Sequence, residues 1–285
     1  MDPKYLVLVS NVDPVAELVA GHWGTPESTG ATLDGVPIRR LGADAFFVRR
    51  AGRHIHDERV DLRLPTELRE RRPTLVFPSI HRSEQNVDCL TVHPLGNPGP
   101  TAEVGGRPRT LAPTDPLRMT AALRQLDELA RPAGYSVTFE ATHHGPEVAL
   151  PAFFVEIGYG RAARPPEEAV RILAKVIPAL VPDDDDRVAL GIGGGHYAPH
   201  FTDLALRRHW SFGHLLSRHA LEELDIATGA AAWEGTRGAE GILYSRAADA
   251  GNPALAGLGP RLRDGAAPSR GRRPEPTASR SVAGT

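Results

Sequence analysis

At 285 residues, with 41% apolar side chains and a formal net charge of −2, the chain is long enough for one large or two small cores. It carries no global basic field, so charge alone excludes a general affinity for nucleic acid, and any such contact must come from a local patch. The single cysteine, Cys89, excludes an intramolecular disulfide framework and a thiolate-rich zinc site, and it points to a reducing compartment.

Only Lys4 and Lys175 are lysines, so the positive charge is almost all arginine. Tyr5 to Val9 predicts a buried strand, and Asn11 or Asp13 is placed to cap a helix reaching about Ala20. That apolar run is too short for a secretory signal or a membrane span, and no later run reaches ~18 apolar residues. The expectation is a cytoplasmic protein with no membrane segment. Gly21 to Gly35 predicts a loop, Phe46 to Arg49 and Ile55 to His56 short strands, and Pro65 to Glu70 a helical turn. Thr74 to Ile80 predicts a buried strand that delivers His81 at its carboxyl end, and Cys89 to Val92 a strand that delivers His93. The glycines and prolines from Gly96 to Pro113 predict a long loop. Asp115 caps an amphipathic helix bearing Leu117, Ala121, Leu126 and Leu129, stopped by Pro132 and Gly134.

Ser136 to Ala141 predicts a strand leading to His143 and His144, and Ala152 to Ile157 another ending at Gly158. A helix opening at Pro165-Pro166-Glu167-Glu168 turns Val170, Leu173, Ile177 and Leu180 inward, and Asp183 to Asp186 reads as a solvated turn. A strand over Val188 to Ile192, a glycine loop, a helix from about Thr202 to Arg207 and a helix from His214 to Leu224 follow. Strands alternating with helices predict a mixed, largely parallel α/β sheet flanked by helices in a single main domain over residues 1–256. Residues 257–285 are rich in Arg, Pro and Gly with few large apolar side chains, which predicts a disordered tail.

In open α/β sheets ligands collect outside the carboxyl ends of the strands. His81, His93, the pair His143-His144, and His196 with His200 all follow predicted strands, so one shared site is expected. His81-x-x-Glu84 sets an imidazole and a carboxylate three residues apart, a donor pair that zinc accepts in hydrolytic sites when a third ligand joins. His196 and His143 are the candidates to complete the set. A metal-free alternative has histidine as general base, with the backbone amides of Gly193, Gly194 and Gly195 as an oxyanion pocket. The glycine run lacks the Lys-Ser/Thr ending of a phosphate loop, and there is no His-Glu-x-x-His helix and no Gly-x-Ser-x-Gly elbow.

Taken together, His81-Arg82-Ser83-Glu84, Leu90 to Asn97, Glu140-Ala141-Thr142-His143-His144-Gly145-Pro146, Phe154 to Gly158, Gly191 to Thr202 and Gly213-His214 resemble the archaeal and plant type of D-aminoacyl-tRNA deacylase. The resemblance spans roughly Tyr5 to Leu224; 21–64 and everything after Gly229 carry no matching motif. It implies a sheet of the phosphorylase or peptidyl-tRNA hydrolase type and hydrolysis of the ester joining a D-amino acid to the terminal ribose of tRNA, a step of translation quality control. It also implies zinc as cofactor, one ion or two. On that basis His81, Glu84, His196 and His143 are the expected metal ligands. His144 and Glu156 are the expected proton carriers, and Arg82, Gly193, Gly194, Gly195, His200 and Thr202 the substrate contacts, in a monomer that binds charged tRNA. His200 follows Pro199 where the family pattern usually has a basic residue such as arginine. A polarised water suffices for an activated aminoacyl ester, and a wall of close backbone at Gly193 to Gly195 and Pro199 is expected to exclude L-amino acids. The competing readings are a zinc-dependent peptidase or amidohydrolase and a non-catalytic RNA-binding module.

Overall fold

The computed structural model describes residues 4–82, 88–160, 162 and 164–263. The chain opens with strand β1 (Tyr5–Ser10) and helix α1 (Pro14–Gly21), whose start is fixed by Asp13: its carboxylate accepts from the amides of Val15 and Ala16 at 2.9 Å, with Pro14 in the first turn. Next come β2 (Ser28–Leu33), β3 (Val36–Arg40), β4 (Ala45–Arg50), the short helix α2 (Thr66–Glu70), β5 (Thr74–His81) and β6 (Cys89–Pro94). A two-residue pair, β7 (Gly96–Asn97) and β8 (Thr110–Leu111), pins the long loop before α3 (Pro116–Ala130), which Asp115 caps through the amide of Arg118. Then follow β9 (Ser136–Phe139), β10 (Ala152–Gly158), α4 (Glu167–Val176), β11 (Arg187–Ile192), α5 (Pro199–Arg207), β12 (Trp210–Leu216), α6 (Arg218–Glu222), α7 (Ile226–Gly235) and β13 (Gly241–Tyr244).

Eight strands pair in the order β2-β3-β4-β1-β5-β10-β6-β9, and β12-β11-β13 form a separate parallel sheet. In the large sheet β4, β1, β5 and β10 run parallel, β6 runs against β10 with β9 parallel to it, and β2 and β3 form an antiparallel edge. The mixed, largely parallel sheet and the single main domain are as the alternating pattern required. One face is covered by α1, α3 and α4, whose Val15, Val19, Leu123, Leu126, Val170 and Leu173 pack on Val7, Val76 and Val155. On the other face Leu6, Leu8, Leu75, Phe77 and Phe154 join Val60 and Leu64.

The period-two alternation of strands places the chemistry on this second face. Register aligns Phe154 with both Phe77 and His93, and Glu156 with Ser79 and Thr91. Each strand of that face is therefore apolar in one half and polar at the edge, in the series Phe77, Ser79, His81 and the series Phe154, Glu156.

Several local readings change. Residues 28–33 form a strand where the sequence predicts a loop; β2 is a sheet-edge strand with largely solvated side chains, so it carries no apolar alternation. Ile55 and His56 belong to a 3-10 turn rather than a strand, held by the buried ring of His54, whose Nε2 meets the amide of Ser10 at 2.8 Å. His214 to Leu216 lie in the wholly buried strand β12, and helix begins only at Arg218, where Ser217 accepts from the amide of Ala220. A buried strand has no periodicity to set it apart from a buried helix. Helix α7 and strand β13 have no counterpart in the sequence pattern. Residues 257–263, expected in the tail, are held in place: Leu262 donates its amide to Ile242, and Ile242 donates its own to Pro260. Residues 264–285 lie outside the described residues.

Candidate functional site

His81 ends β5, Glu156 lies in β10, His93 in β6, and Glu140 immediately follows β9. His143 and His144 sit on the loop after Glu140, and His196 on the glycine turn after β11. A bridge between Glu140 and Tyr197, with the amide of Ala141 donating to the His196 carbonyl at 2.8 Å, fastens the small sheet's glycine turn to the large sheet. Imidazoles from both sheets thus meet around two carboxylates.

Glu140 is completely buried, and its two oxygens accept no well-directed hydrogen bond. Oε1 lies 3.1 Å from His81 Nδ1, while Oε2 lies 3.1 Å from His196 Nε2 and 3.6 Å from His143 Nε2. Glu156 Oε2 lies 3.3 Å from His81 Nδ1 and 3.7 Å from His93 Nε2. Burial would push the Glu156 carboxyl up, but His81 and His93 outweigh it and hold the group well below the usual carboxylate range. Glu140 is lowered likewise, against its burial, by His196 and by the charges on His93 and His81. His81 and His93 are raised despite burial, chiefly by Glu156. His143 is driven well below its ordinary value by burial and by the charges of His93, His144 and His196, and His144 is pushed down to about 4 by burial and His93.

Outer partners set the tautomers. The Nδ1 atoms of His93, His143 and His144 face the carbonyls of Pro94, Ala141 and Gly145 at 3.2, 2.8 and 2.7 Å. An Nδ1–H donating to each carbonyl leaves the Nε2 lone pair of the neutral His143 and His144 rings for a ligand, while His93 Nε2 faces Glu156. His81 Nε2 meets the Tyr197 hydroxyl at 3.0 Å, leaving Nδ1 toward the two carboxylates. Phe154 forms the floor: His93 stacks on it with centroids 5.1 Å apart, and His144 stands edge-on at 4.9 Å. The arrangement calls for positive charge between His81, Glu140 and His196, supplied either by protons on the rings or by a cation. The ligand atoms of these three residues lie within 4.8 Å of one another, as do those of His93, His143 and His144. Imidazole nitrogen with a carboxylate oxygen is a donor set that fits a zinc ion.

Of the expected ligands, the structure brings His81, His196 and His143 together, while Glu84 lies outside the described residues. The carboxylate that faces these rings is Glu140. It stands in the same segment as His143 and His144, and its signal is its position directly after strand β9. His144 and Glu156, the expected proton carriers, are both in the cluster, as is His93, which had no assigned role.

Arg82, His81, His143, His144, Glu156 and His196 border one cavity of about 440 Å³. Gly194 and Gly195 border a second, of about 880 Å³, together with His143 and His196. Gly193 lies beneath them at φ +105°, and a Cβ there would stand 2.3 Å from Ser245 Oγ and 2.4 Å from Asp249 Oδ2. Its amide donates to the Leu216 carbonyl at 2.7 Å, so this amide is not free to hold an oxyanion. Thr202 is buried, its hydroxyl donating to Ala198 and accepting from the Phe139 amide. His200 packs its ring on Phe201. Thr202, His200 and Pro199 border neither cavity.

Among the described residues no helix is long and apolar enough to cross a membrane. Residues 69–252 match the family model described as D-aminoacyl-tRNA deacylase, a match that runs past Gly229 into the region without a recognised motif. The chain is 37% identical over 214 residues to the D-aminoacyl-tRNA deacylase of Methanosphaerula palustris, covering 75% of this chain and 46% of that one. It is 39% identical over 184 residues to the enzyme of the same name from Thermoplasma acidophilum (62% of this chain, 69% of that one), and 35% identical over 198 residues to that of Pyrococcus abyssi (68% and 72%). The chain thus spans between about half and three quarters of the length of these curated relatives. A crystal structure of a conserved protein of unknown function, AF0625, superposes with a TM-score of 0.76 at 27% identity over 90% of both chains. By the extent of the family match, the chain belongs to the D-aminoacyl-tRNA deacylase family.

Proposed function

We propose that the protein hydrolyses the ester of D-aminoacyl-tRNA, releasing the D-amino acid and tRNA, in the cytoplasm and as a monomer. The observation that carries this reading is the position of Glu140, a buried carboxylate ringed by His81, His143 and His196, of which His143 and His196 border both cavities, in a chain of this family. His81, Glu140 and His196 are the residues that would hold zinc, with His143 next to them. Bound there, zinc would supply Lewis acidity at the reacting carbonyl and water.

The protein's own groups do the rest. His144 is held by the Gly145 carbonyl, borders the 440 Å³ cavity and presents Nε2 as an acceptor for a proton from the attacking water. Glu156 orients His81 and His93 and compensates their charge. The Phe154 floor under His93 and His144 excludes water from behind the cluster. Arg82, at the rim of the same cavity, is placed to contact the bound substrate.

Release of tyrosine from D-tyrosyl-tRNA is expected, with L-tyrosyl-tRNA resistant and a chelator abolishing the reaction. Tight tRNA binding without turnover of either ester would replace the enzyme with an RNA-binding module, and turnover unaffected by a chelator would remove the metal.

A further inference from the structure

The site opens on more than one chamber, and the chambers differ in chemistry. The 440 Å³ cavity has Val12, Ile55, Ile80 and Val104 on its wall beside the charged Asp13, Arg53 and Arg82. Val12 and Val104 remain 58% and 46% exposed although they are large apolar residues, which suits an amino-acid side chain. The 880 Å³ cavity shares His143 and His196 with it, and its wall carries Asn97, Ser217, Arg218 and Asp249, groups able to hydrogen-bond a ribose and base. A scissile ester at the two shared histidines would lie with its acyl group in the first chamber and its ribose in the second.

A third cavity, of about 740 Å³, neighbours the second at Arg246, which borders both. Its charged lining is arginine alone, Arg246, Arg261 and Arg263, whereas the second chamber also carries Glu222, Glu223 and Asp249. Arg246 pairs with Asp249 at 3.6 Å, and no carboxylate among the described residues pairs with Arg261 or Arg263. The segment that carries them is fixed, because the amide of Leu262 donates to Ile242 and that of Ile242 to Pro260. With Leu262 packed at Gly241, the alternating neighbours Arg261 and Arg263 are left exposed. Arg261 also lies over the Tyr244 ring at 5.4 Å, so an aromatic side chain stands among the cations. Arginines interleaved with an aromatic along a groove suit a single-stranded nucleic acid, whose phosphates need cations and whose bases need a stacking face.

Resting on the deacylase reading, we propose that the second chamber holds the terminal nucleoside of the tRNA and that Arg246, Arg261 and Arg263 form the path of the phosphates preceding it. This is the local basic patch that the balanced overall charge makes necessary. It puts the tRNA strand on the small sheet and leaves the large sheet to the acyl group.

The test compares the 285-residue chain with its Arg261→Ala/Arg263→Ala variant on two esters, D-tyrosyl-tRNA and 3′-O-D-tyrosyl-adenosine, which has no phosphate. The ratio of kcat/KM for the tRNA to that for the nucleoside ester should fall about tenfold in the variant. The change should appear in KM, with a salt dependence of tRNA binding shallower by about one for each phosphate that is no longer neutralised. Uncharged tRNA titrated by fluorescence anisotropy supplies a readout that needs no turnover, and circular dichroism verifies the fold. Equal anisotropy titrations and equal salt slopes for the two proteins would overturn the path. Hydrolysis of neither ester by the parent protein would sink the deacylase reading, while the anisotropy titration would still decide the arginine path.

Discussion

Two groups of histidine and carboxylate in this molecule have similar ligand spacing and opposite character. His81, Glu140 and His196 gather at the carboxyl ends of strands, whereas Asp183, Asp186 and His209 gather where β11 and β12 begin. In both sets the ligand atoms lie within 4.8 Å of one another, yet only the first is bordered by the cavities described above. In the second, Asp186 accepts from Ser211 Oγ at 2.7 Å and pairs with Arg124 at 2.9 Å, while the His209 side chain is 70% exposed. Its charges are already compensated by protein and solvent. In the first, Glu140 is buried with no directed hydrogen bond, so the fold has paid for a charge that its protein neighbours do not fully satisfy. Proximity of donors marks neither set as functional; the difference lies in which set leaves its charge for something else to complete.

The sharpest way to break this comparison is to remove the same kinds of residue from each group. His81→Ala/His196→Ala is expected to lose zinc and to reduce deacylation by more than about 100-fold, beyond the cost of losing an outer-shell partner. Asp183→Ala/His209→Ala should keep both. Plasma emission spectrometry and a D-tyrosyl-tRNA assay measure the two effects, and full zinc occupancy in the first variant would remove the metal assignment.

A second test uses His214, an imidazole buried as deeply but without a carboxylate beside it. Burial alone pushes it down to about 4, the opposite of His81, which Glu156 and Glu140 raise. Its folded value lies below the ordinary 6.5, so the unfolded chain binds more protons between the two. The stabilisation is complete above about pH 6.5 and is lost as pH falls toward 4, up to about 3 kcal/mol. Urea titrations from pH 7 to pH 4 should show a shallower acid loss in His214→Asn than in the parent, and identical slopes would mean that this ring does not titrate on unfolding. The smallest effect is expected from Asp186→Ala. It removes the acceptor of the Ser211 hydroxyl and one of the two carboxylates at Arg124 and should cost about 1–3 kcal/mol of stability with no loss of zinc, so a loss of metal would erase the distinction between the two groups.

The fold is legible wherever a local signal suffices. Asp13 and Asp115 announce their helices because a capping carboxylate acts within three residues. The apolar runs of β1, β5 and β10 announce strands because all or nearly all their side chains are buried. Strand β12 is as buried but lacks that clarity because Ser211, Gly213 and His214 interrupt its apolar run, and β2 lacks it by being exposed at an edge. Within the site, the histidines are legible as strand-end residues. Glu140 does not stand out, because nothing in the order Glu140-Ala141-Thr142-His143-His144 says that this carboxylate loses all its water.

The sequence by itself determined the α/β class, the helix starts, the family's motifs and the gathering of imidazoles at strand ends, since each depends on residue type and short spacing. Tertiary structure alone decided that the glycine turn belongs to a second sheet, that Gly193 is needed where Ser245 and Asp249 press against it, and that Glu140 is the carboxylate facing His81 and His196. Those facts depend on groups far apart in the chain meeting where water is excluded. Burial and the charge left uncompensated by it are properties of the assembled interior and of no single segment.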